Sequence, residues 1–320
     1  MTEFNGQLVV VTGGAGFIGS HLSDFLIAND NRVICVDNLV GNNSTQNINH
    51  LLNNPLFTFV NSSVVDWAVG ADLTGVDCIF HQAASKFTVC LKDPELDLMV
   101  NGLGTLRLLQ AAKKYGVRKF ILASTGSVFG ELASEKQDES HPKNPVSIYG
   151  VSKLAGESYC RVFGEIFGLN YTVFRYYHVI GPRQDDSDKG GVVPIFIRRV
   201  LENKPLIIYG TGEQVRSFTS VFDIVKANII AASEPQARQE YFNCASGIKV
   251  SIQELAEFIL SEMKSDVGIN YADWRTGDII NFNVENSKIR SLLGMKFNTD
   301  WKSVVREVIS STGLTQVRYI

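Results

Sequence analysis

The sequence is short of nearly everything that would mark a specialised class. It has no basic surplus: Lys and Arg total 30 against 33 Asp and Glu, a net charge of −3. There is therefore no electrostatic footprint for nucleic acid or an acidic membrane surface. No apolar run approaches the roughly 18–20 residues that a membrane span requires. Met1 to Gly6 is polar and leads straight into an apolar strand, which predicts no secretory signal and a cytoplasmic location. Cysteine is sparse. Cys35, Cys78, Cys90, Cys160 and Cys244 are an odd set, widely spaced, with no CxxC. They predict free thiols in a reducing compartment rather than a disulfide framework. The 5 histidines form no pair with ligand spacing, so no metal is expected. No repeat of solenoid period and no low-complexity segment is present. What remains is a chain with 45% hydrophobic and 20% charged residues, the balance of a globular protein. A chain of 320 residues can bury roughly three quarters of its unfolded surface without a staple.

The first half alternates two patterns. Short, continuous apolar runs at 7–12, 32–37, 57–60, 78–81, 120–124 and 171–176 predict strands buried on both faces. Amphipathic patterns at about 20–29, 94–115 and 149–167 predict helices between them. This alternation specifies an α/β fold with a doubly wound parallel sheet. After Arg175 the texture changes. Residues 181–191 (GPRQDDSDKGG) are strongly polar and predict a mobile loop. Beyond them come elements at about 193–202, 206–209, 222–232, 252–263 and 301–310. The expected division is a larger domain over 1–177, with returning segments near 218–243. A smaller mixed α/β domain would be formed by 178–217 and 244–320.

Thr12 to Ser20 reads TGGAGFIGS, so Gly13, Gly16 and Gly19 have the spacing GxxGxxG between a buried strand and a helix. A tight turn, close backbone approach to a pyrophosphate and close helix–sheet packing each exclude a Cβ. The helix N-terminus also offers free N–H groups to an anion. Asp37 ends the second strand, where a carboxylate accepts the adenosine ribose hydroxyls and repels a 2′-phosphate. Asn38, not Arg, follows it. The signature predicts a Rossmann-type dinucleotide site that prefers NAD to NADP.

Tyr149 and Lys153 form YxxxK, a pattern too short to be specific; Tyr115 and Lys119 form a second copy. Context separates them. Tyr115-Gly116 reads as a helix C-terminus and Lys119 as the start of a strand, whereas Tyr149 and Lys153 share one helix face at i,i+4. That pair also follows the carboxyl end of the fifth strand, with Ser124 and Thr125, where ligands of open parallel sheets sit. A tyrosine with an ordinary pKa near 10 is a poor base at neutral pH. A nearby ammonium and a positive nicotinamide ring favour its phenolate, and the Thr125 hydroxyl can bond the oxygen of a reacting secondary alcohol.

A series of segments carries a wider likeness: TGGAGFIGSHL (12–22), VDNL (36–39), FHQAA (80–84), LASTGSVFG (122–130), YGVSKLAGE (149–157), FRYYHVIGPRQ (174–184), YGTGEQVRSFT (209–219), FNCASG (242–247) and WRTGD (274–278). Through them the chain resembles the extended short-chain dehydrogenase/reductases, in particular the nucleotide-sugar epimerases and dehydratases, nearly end to end. The resemblance implies NAD as cofactor, a nucleotide-diphosphate sugar (UDP-sugar foremost) as substrate, and a homodimer paired through helices near 101–115 and 149–167. It implies Thr125, Tyr149 and Lys153 as the catalytic triad, and Asn101 as support for the active-site water or lysine. Phe17, Ile18, Ser63, Val64, Gln82, Ala83, Ala84, Lys86 and Tyr176 join the cofactor site by the same likeness. On the substrate side it implies Arg216 and Arg275 as a diphosphate clamp. Val192, Ile207 and Tyr209 would lie around the base, with Lys86, Gly126, Ser127, His178, Asp278 and Phe282 nearer the sugar.

The residues after Thr125 discriminate among such enzymes. Dehydratases of the family place Asp-Glu there and decarboxylases a Glu at the second position, but this chain has Gly126 and Ser127. The expected reaction is inversion at C4: Tyr149 takes the hydroxyl proton, hydride moves to NAD, and the 4-keto sugar turns and takes the hydride back. Departures from the family are also visible. His178 stands where many of these epimerases have Asn, Ser63 where an Asp often meets adenine, and Ser217 where an Asp commonly follows the arginine. Asp185 replaces an arginine of uronate-specific members, and the bulk of Phe282 favours plain hexoses, with N-acetyl analogues still open. The alternatives are 4-dehydrogenation, dehydration or uronate chemistry on the same scaffold, and a non-catalytic NAD sensor.

Overall fold

Runs such as LVVVT and CIFH, too apolar for a surface, become the inner strands of one sheet. The computed structural model describes residues 4–41, 44–133, 135–188, 190–274 and 282–312. The first part contains β1 (Leu8–Thr12), α1 (Phe17–Ala28), β2 (Arg32–Asp37), α2 (Ser44–Ile48), β3 (Phe57–Asn61), α3 (Val64–Gly70) and β4 (Cys78–His81). It continues through α4 (Phe87–Cys90), α5 (Pro94–Leu98), α6 (Gly104–Tyr115), β5 (Lys119–Thr125), α7 (Ile148–Phe167) and β6 (Tyr171–Tyr176). Then follow β7 (Val179–Ile180), α8 (Val192–Leu201), β8 (Leu206–Tyr209), β9 (Val215–Arg216), β10 (Thr219–Ser220) and α9 (Val221–Ser233). The last are β11 (Glu240–Cys244), β12 (Val250–Ser251), α10 (Ile252–Glu262), β13 (Ile269–Ala272), α11 (Ser287–Leu293) and α12 (Trp301–Ser311).

Seven strands pair in parallel in the order β11-β6-β5-β4-β1-β2-β3. Side chains alternate across this sheet, and both faces are covered. Val9, Val11, Phe80, Ile121 and Phe174 enter one core, and Val10, Ile79, Phe120, Leu122 and Val173 the other. A third core gathers Val193, Ile197, Leu206, Ile208, Leu255, Ile259 and Val305 from α8, β8, α10 and α12. Around it lie three two-stranded pairings, β7 with β10, β9 with β12 and β8 with β13.

Three features depart from the sequence reading. The helix expected over 94–115 is broken by a π-turn at Met99–Leu103, between α5 and α6. β11 was not visible as a strand, since EYFNC mixes polar and apolar residues, yet it closes the sheet edge beside β6. The polar stretch expected as a mobile loop carries side-chain and backbone bridges to the rest of the chain at 182–185. His21 Nε2 lies 2.9 Å from the Pro182 carbonyl, Arg183 pairs with Asp24 at 2.7 Å, and Lys86 pairs with Asp185 at 2.5 Å. A polar segment can be pinned by side-chain bridges as well as by apolar burial. All five cysteines are buried and free. Among the described residues there is no cluster able to hold a metal, and no helix long and apolar enough to cross a membrane.

Candidate active site

The glycine turn is built by contact between backbones. Gly13 has φ +67°, and a Cβ there would lie 2.6 Å from the Ala83 nitrogen, in the loop after β4. A Cβ on Gly19 would lie 2.1 Å from the Gly13 carbonyl oxygen. Gly16 is the N-cap of α1 and supplies no side-chain cap, so the first N–H groups of that helix are left for a ligand. The Asp37 carboxylate accepts from the amides of Ala15 (3.1 Å) and Leu39 (2.8 Å). Burial pushes its pKa up, against those hydrogen bonds. Asn38 is exposed, while Phe17 and Ile18 are half-buried at the start of α1. The tight turn and the open helix start fit the pyrophosphate of a dinucleotide.

Other cofactor candidates are already engaged within the protein. The Ser63 hydroxyl caps α3, accepting from the Asp66 amide (3.1 Å) and donating to the Asp66 carboxylate (2.7 Å), so it is committed to the helix start; Val64 is buried behind it. Tyr176 donates to Gln82 (3.4 Å) and accepts from Asn228 (2.8 Å), whose carbonyl oxygen accepts from Gln82 Nε2 (3.2 Å). Ala83 packs on Gly13 and Ala84 is exposed beside it.

At the carboxyl end of β5, the Thr125 hydroxyl faces the Tyr149 phenol, and its Oγ1 donates to Ser127 Oγ (3.2 Å) and accepts from the Ser127 amide (3.2 Å). Lys153 is 2% exposed and donates to the Ala123 carbonyl at 2.9 Å. Burial lowers its pKa to about 8, while Asp97 and Glu157 hold it up. The phenol departs from expectation. Burial and the Asp97 carboxylate push its pKa up, and the Thr125 hydroxyl only partly opposes them. Within the chain alone desolvation wins over stabilisation of the phenolate. The other YxxxK copy divides as its context predicts: Tyr115 ends α6, Gly116 has φ +67°, and Lys119 opens β5.

Sequence reasoning missed the frame behind this pair. Asn101 sits in the π-turn, a helix distortion frequent at functional sites. Its Oδ1 accepts from the Ser85 amide (3.0 Å), and its Nδ2 donates to Asp97 (3.1 Å) and Ser152 (3.0 Å). Ser152 donates to the other Asp97 oxygen at 2.5 Å. The wholly buried Asp97 thus ties α5 to α7 next to Tyr149. The signal was available as Asp and Asn four apart, but an i,i+4 polar pair is common on any helix.

A wall of rings runs from Thr125 toward Arg216. A Cβ on Gly126 would lie 2.4 Å from the Tyr177 ring. Tyr177 meets Phe282 edge-on with centroids 5.9 Å apart, and Phe282 meets His178 at 5.1 Å. The Arg216 guanidinium lies over Phe282 at 5.3 Å. His178 has φ +35°, and its Nδ1 is enclosed with no hydrogen-bond partner. Burial and Arg216 hold its pKa well below the ordinary histidine value, so the imidazole is neutral. Ile207 and Tyr209 are the half-buried positions of β8, and Val192 opens α8. Trp274, which sequence reasoning passed over, packs its indole on Gly210 next to Tyr209. Arg275 and Asp278 lie outside the described residues.

Comparison with known proteins gives a consistent picture. Residues 9–245 match the NAD dependent epimerase/dehydratase family. The chain is similar to the UDP-glucose 4-epimerase of Mycolicibacterium smegmatis, with 34% identity over 293 residues covering 89% of this chain and 92% of that one. It is 32% identical to the UDP-N-acetyl-alpha-D-glucosaminuronate decarboxylase of Bacillus cytotoxicus, over 94% of this chain and 96% of that one. Its structure is similar to that of UDP-N-acetylglucosamine 4-epimerase from Methanobrevibacter ruminantium M1, with a TM-score of 0.90, 34% identity, and coverage of 98% of this chain and 100% of that one.

Proposed function

From the premise that the chain belongs to the NAD-dependent epimerase/dehydratase family, we propose that it inverts C4 of a nucleotide-activated hexose, a UDP-sugar, with NAD held in the glycine cradle. The observation that carries this reading is the end of β5. A tyrosine on a lysine-bearing helix face faces Thr125, while the next position is filled by the Tyr177 ring and the one after is a serine. Elimination or decarboxylation would use an acid at 126 or 127, and neither residue carries one. NAD, when bound, supplies the hydride acceptor and donor. Gly13, Gly16, Gly19 and Asp37 would hold it.

The chain's own groups do the rest. Tyr149 takes the C4 hydroxyl proton and later returns it, and Thr125 orients the oxygen by its hydroxyl. Lys153 keeps a positive charge beside the phenol below about pH 8. Arg216 holds the diphosphate while the sugar turns, with Arg275 its proposed partner. His178, Phe282 and Lys86 bound the sugar, and Val192, Ile207 and Tyr209 the base. The relatives include a decarboxylase, so the test must read products. Incubation with UDP-, GDP- and dTDP-hexoses, read by NMR, should give the C4 epimer of a UDP-hexose. Net oxidation, a 4-keto-6-deoxy product or carbon dioxide would replace the reading. Tyr149→Phe should lose about 10²–10⁴-fold in turnover while NAD stays bound; retained turnover would remove the mechanism.

The proposed homodimer rests on exposed apolar side chains of α5, the π-turn and α7: Leu98, Met99, Val151 and Tyr159. Val151→Glu should convert a dimer to a monomer in sedimentation; a wild-type protein that sediments as a monomer would refute the pairing.

A further inference from the structure

Three successive residues of β5 engage three positions of α7 that lie four apart. Thr125 faces Tyr149, the Ala123 carbonyl accepts from Lys153 at 2.9 Å, and Ser124 donates to Glu157 at 2.6 Å. Positions 149, 153 and 157 share one helix face, each about one turn (5.4 Å) beyond the last. The catalytic reading uses the first two and leaves the third unexplained. Glu157 is 1% exposed and pairs with Arg175 of β6, itself 0% exposed. The pair is bidentate, Nε to Oε1 at 2.9 Å and Nη2 to Oε2 at 2.7 Å. A further guanidinium nitrogen donates to the Glu139 carbonyl (3.2 Å), and the plane lies 4.6 Å from the Phe129 ring and 5.1 Å from that of Tyr241.

A buried ion pair is a poor device for stability alone. Desolvating both charges offsets most of their attraction, and an apolar pair of equal volume often serves as well. What this cluster supplies that an apolar pair would not is direction. A fork with two parallel bonds fixes α7 along its axis against β6, and the Ser124 bond fixes it against β5 one residue from Thr125.

Resting on the reading of Tyr149 and Lys153 as the reacting pair, we propose that the Ser124–Glu157–Arg175 cluster is a positioning unit. It sets the register of α7 on β5 so that the phenol meets Thr125, and its carboxylate serves as a remote counter-charge for the Lys153 ammonium. The charged and titratable groups facing Lys153 are Asp97 of α5, His81 of β4 and Glu157 of its own helix. Those facing Glu157 are Arg175 of β6, Lys143 from the loop before α7, Lys153 and Cys160 of its own helix, Tyr177 just after β6 and Tyr241 of β11. His81 is wholly buried and lies between Thr12 (2.7 Å) and Thr105 (3.0 Å) with its pKa lowered to about 3, so it stays neutral.

The test uses Glu157→Met with Arg175→Met in one full-length chain, beside Ser124→Ala and Glu157→Gln singly. The double variant should fold with a thermal midpoint near that of the wild type and bind NAD with unchanged affinity. Its kcat should fall about 10–100-fold with KM little changed, the range expected when reacting groups are misplaced by about an ångström. Its alkaline limb should move to lower pH, because Lys153 loses a group that sustains its charge. Glu157→Gln should shift the limb the same way. Ser124→Ala should lower kcat and leave the limb in place. A folded double variant with wild-type kcat and pH profile would overturn the proposal. Should that variant fail to fold, a wild-type profile in Glu157→Gln would do so. If Tyr149→Phe is inactive and these variants are not impaired, only the positioning role falls. If Tyr149→Phe is active, the catalytic reading itself falls.

Discussion

The sheet and the third core hold their site residues by different means. On the sheet side, position comes from main chain pressed against its neighbours: Gly13 on Ala83, Gly19 on Gly13, Gly126 on Tyr177. On the other side it comes from side chains, with Lys86 on Asp185, Arg183 on Asp24, and His178 between Phe218 and Phe282. A contact that leaves no room for a Cβ cannot be exchanged without moving backbone. A bridge between partly exposed side chains can be exchanged for little. Under the proposed function, the first kind of contact would hold the cofactor and the reacting groups, and the second would tolerate exchange at little cost.

The contrast can be broken most severely at the turn. Gly13→Ala would strain a backbone at φ +67° and drive a Cβ to 2.6 Å from the Ala83 nitrogen. With local strain of about 1–3 kcal/mol, NAD affinity should fall roughly 10–100-fold in a fluorescence titration. An unchanged affinity would mean that the turn gives way easily, and the comparison would fail.

The next effect has opposite signs for turnover and stability. The buried Lys153 has a pKa of about 8, below the ordinary 10.5. Between those values the unfolded chain binds more protons than the folded one, so stability rises with pH across that window. Below about pH 8 the cost of burying the charge is fully present. Lys153→Met should therefore abolish turnover while stabilising the fold at pH 7 by on the order of 1–3 kcal/mol, a gain that shrinks from pH 8 toward 10.5. Thermal unfolding across pH measures it, and a destabilised variant at pH 7 would count against the assignment.

The smallest effect belongs to the side-chain bridges. Lys86 is 46% exposed in its pair with Asp185, and such pairs are worth about 0–1 kcal/mol. Asp185→Asn should change KM no more than about fivefold, less at high salt, with kcat intact. A tenfold loss of kcat would erase the distinction between the two sides.

The parts legible in the sequence are those fixed by local pattern. GxxGxxG after an apolar strand, an acid ending β2, and YxxxK inside one helix carry their geometry in their spacing: Asp37 accepts from the Ala15 amide of the glycine turn, and Tyr149 faces Thr125. What stayed hidden depends on partners distant in sequence. Asp97 matters because Ser152 lies opposite it, 55 positions on, and Glu157 because Arg175 stands beside Ser124 in register. Ser63 stands where the resemblance puts an adenine contact, and that its hydroxyl also caps α3 at Asp66 is not readable from its type alone. β11 is a strand because Phe242 and Cys244 are buried beside β6, which five residues of mixed polarity do not announce.

That edge strand follows from a chain that will not stay in one part. It leaves the sheet after β6 for the third core, comes back with α9 and β11, departs again for β12 and α10, returns to pack α11 beneath β11, and ends in α12. No single cleavage could release one part from the other, and truncation after β6 would strip that strand of its neighbour. Grafting another enzyme's sugar specificity onto this protein would mean splicing at several junctions rather than one. Any movement of one part against the other would have to flex all of those crossings together.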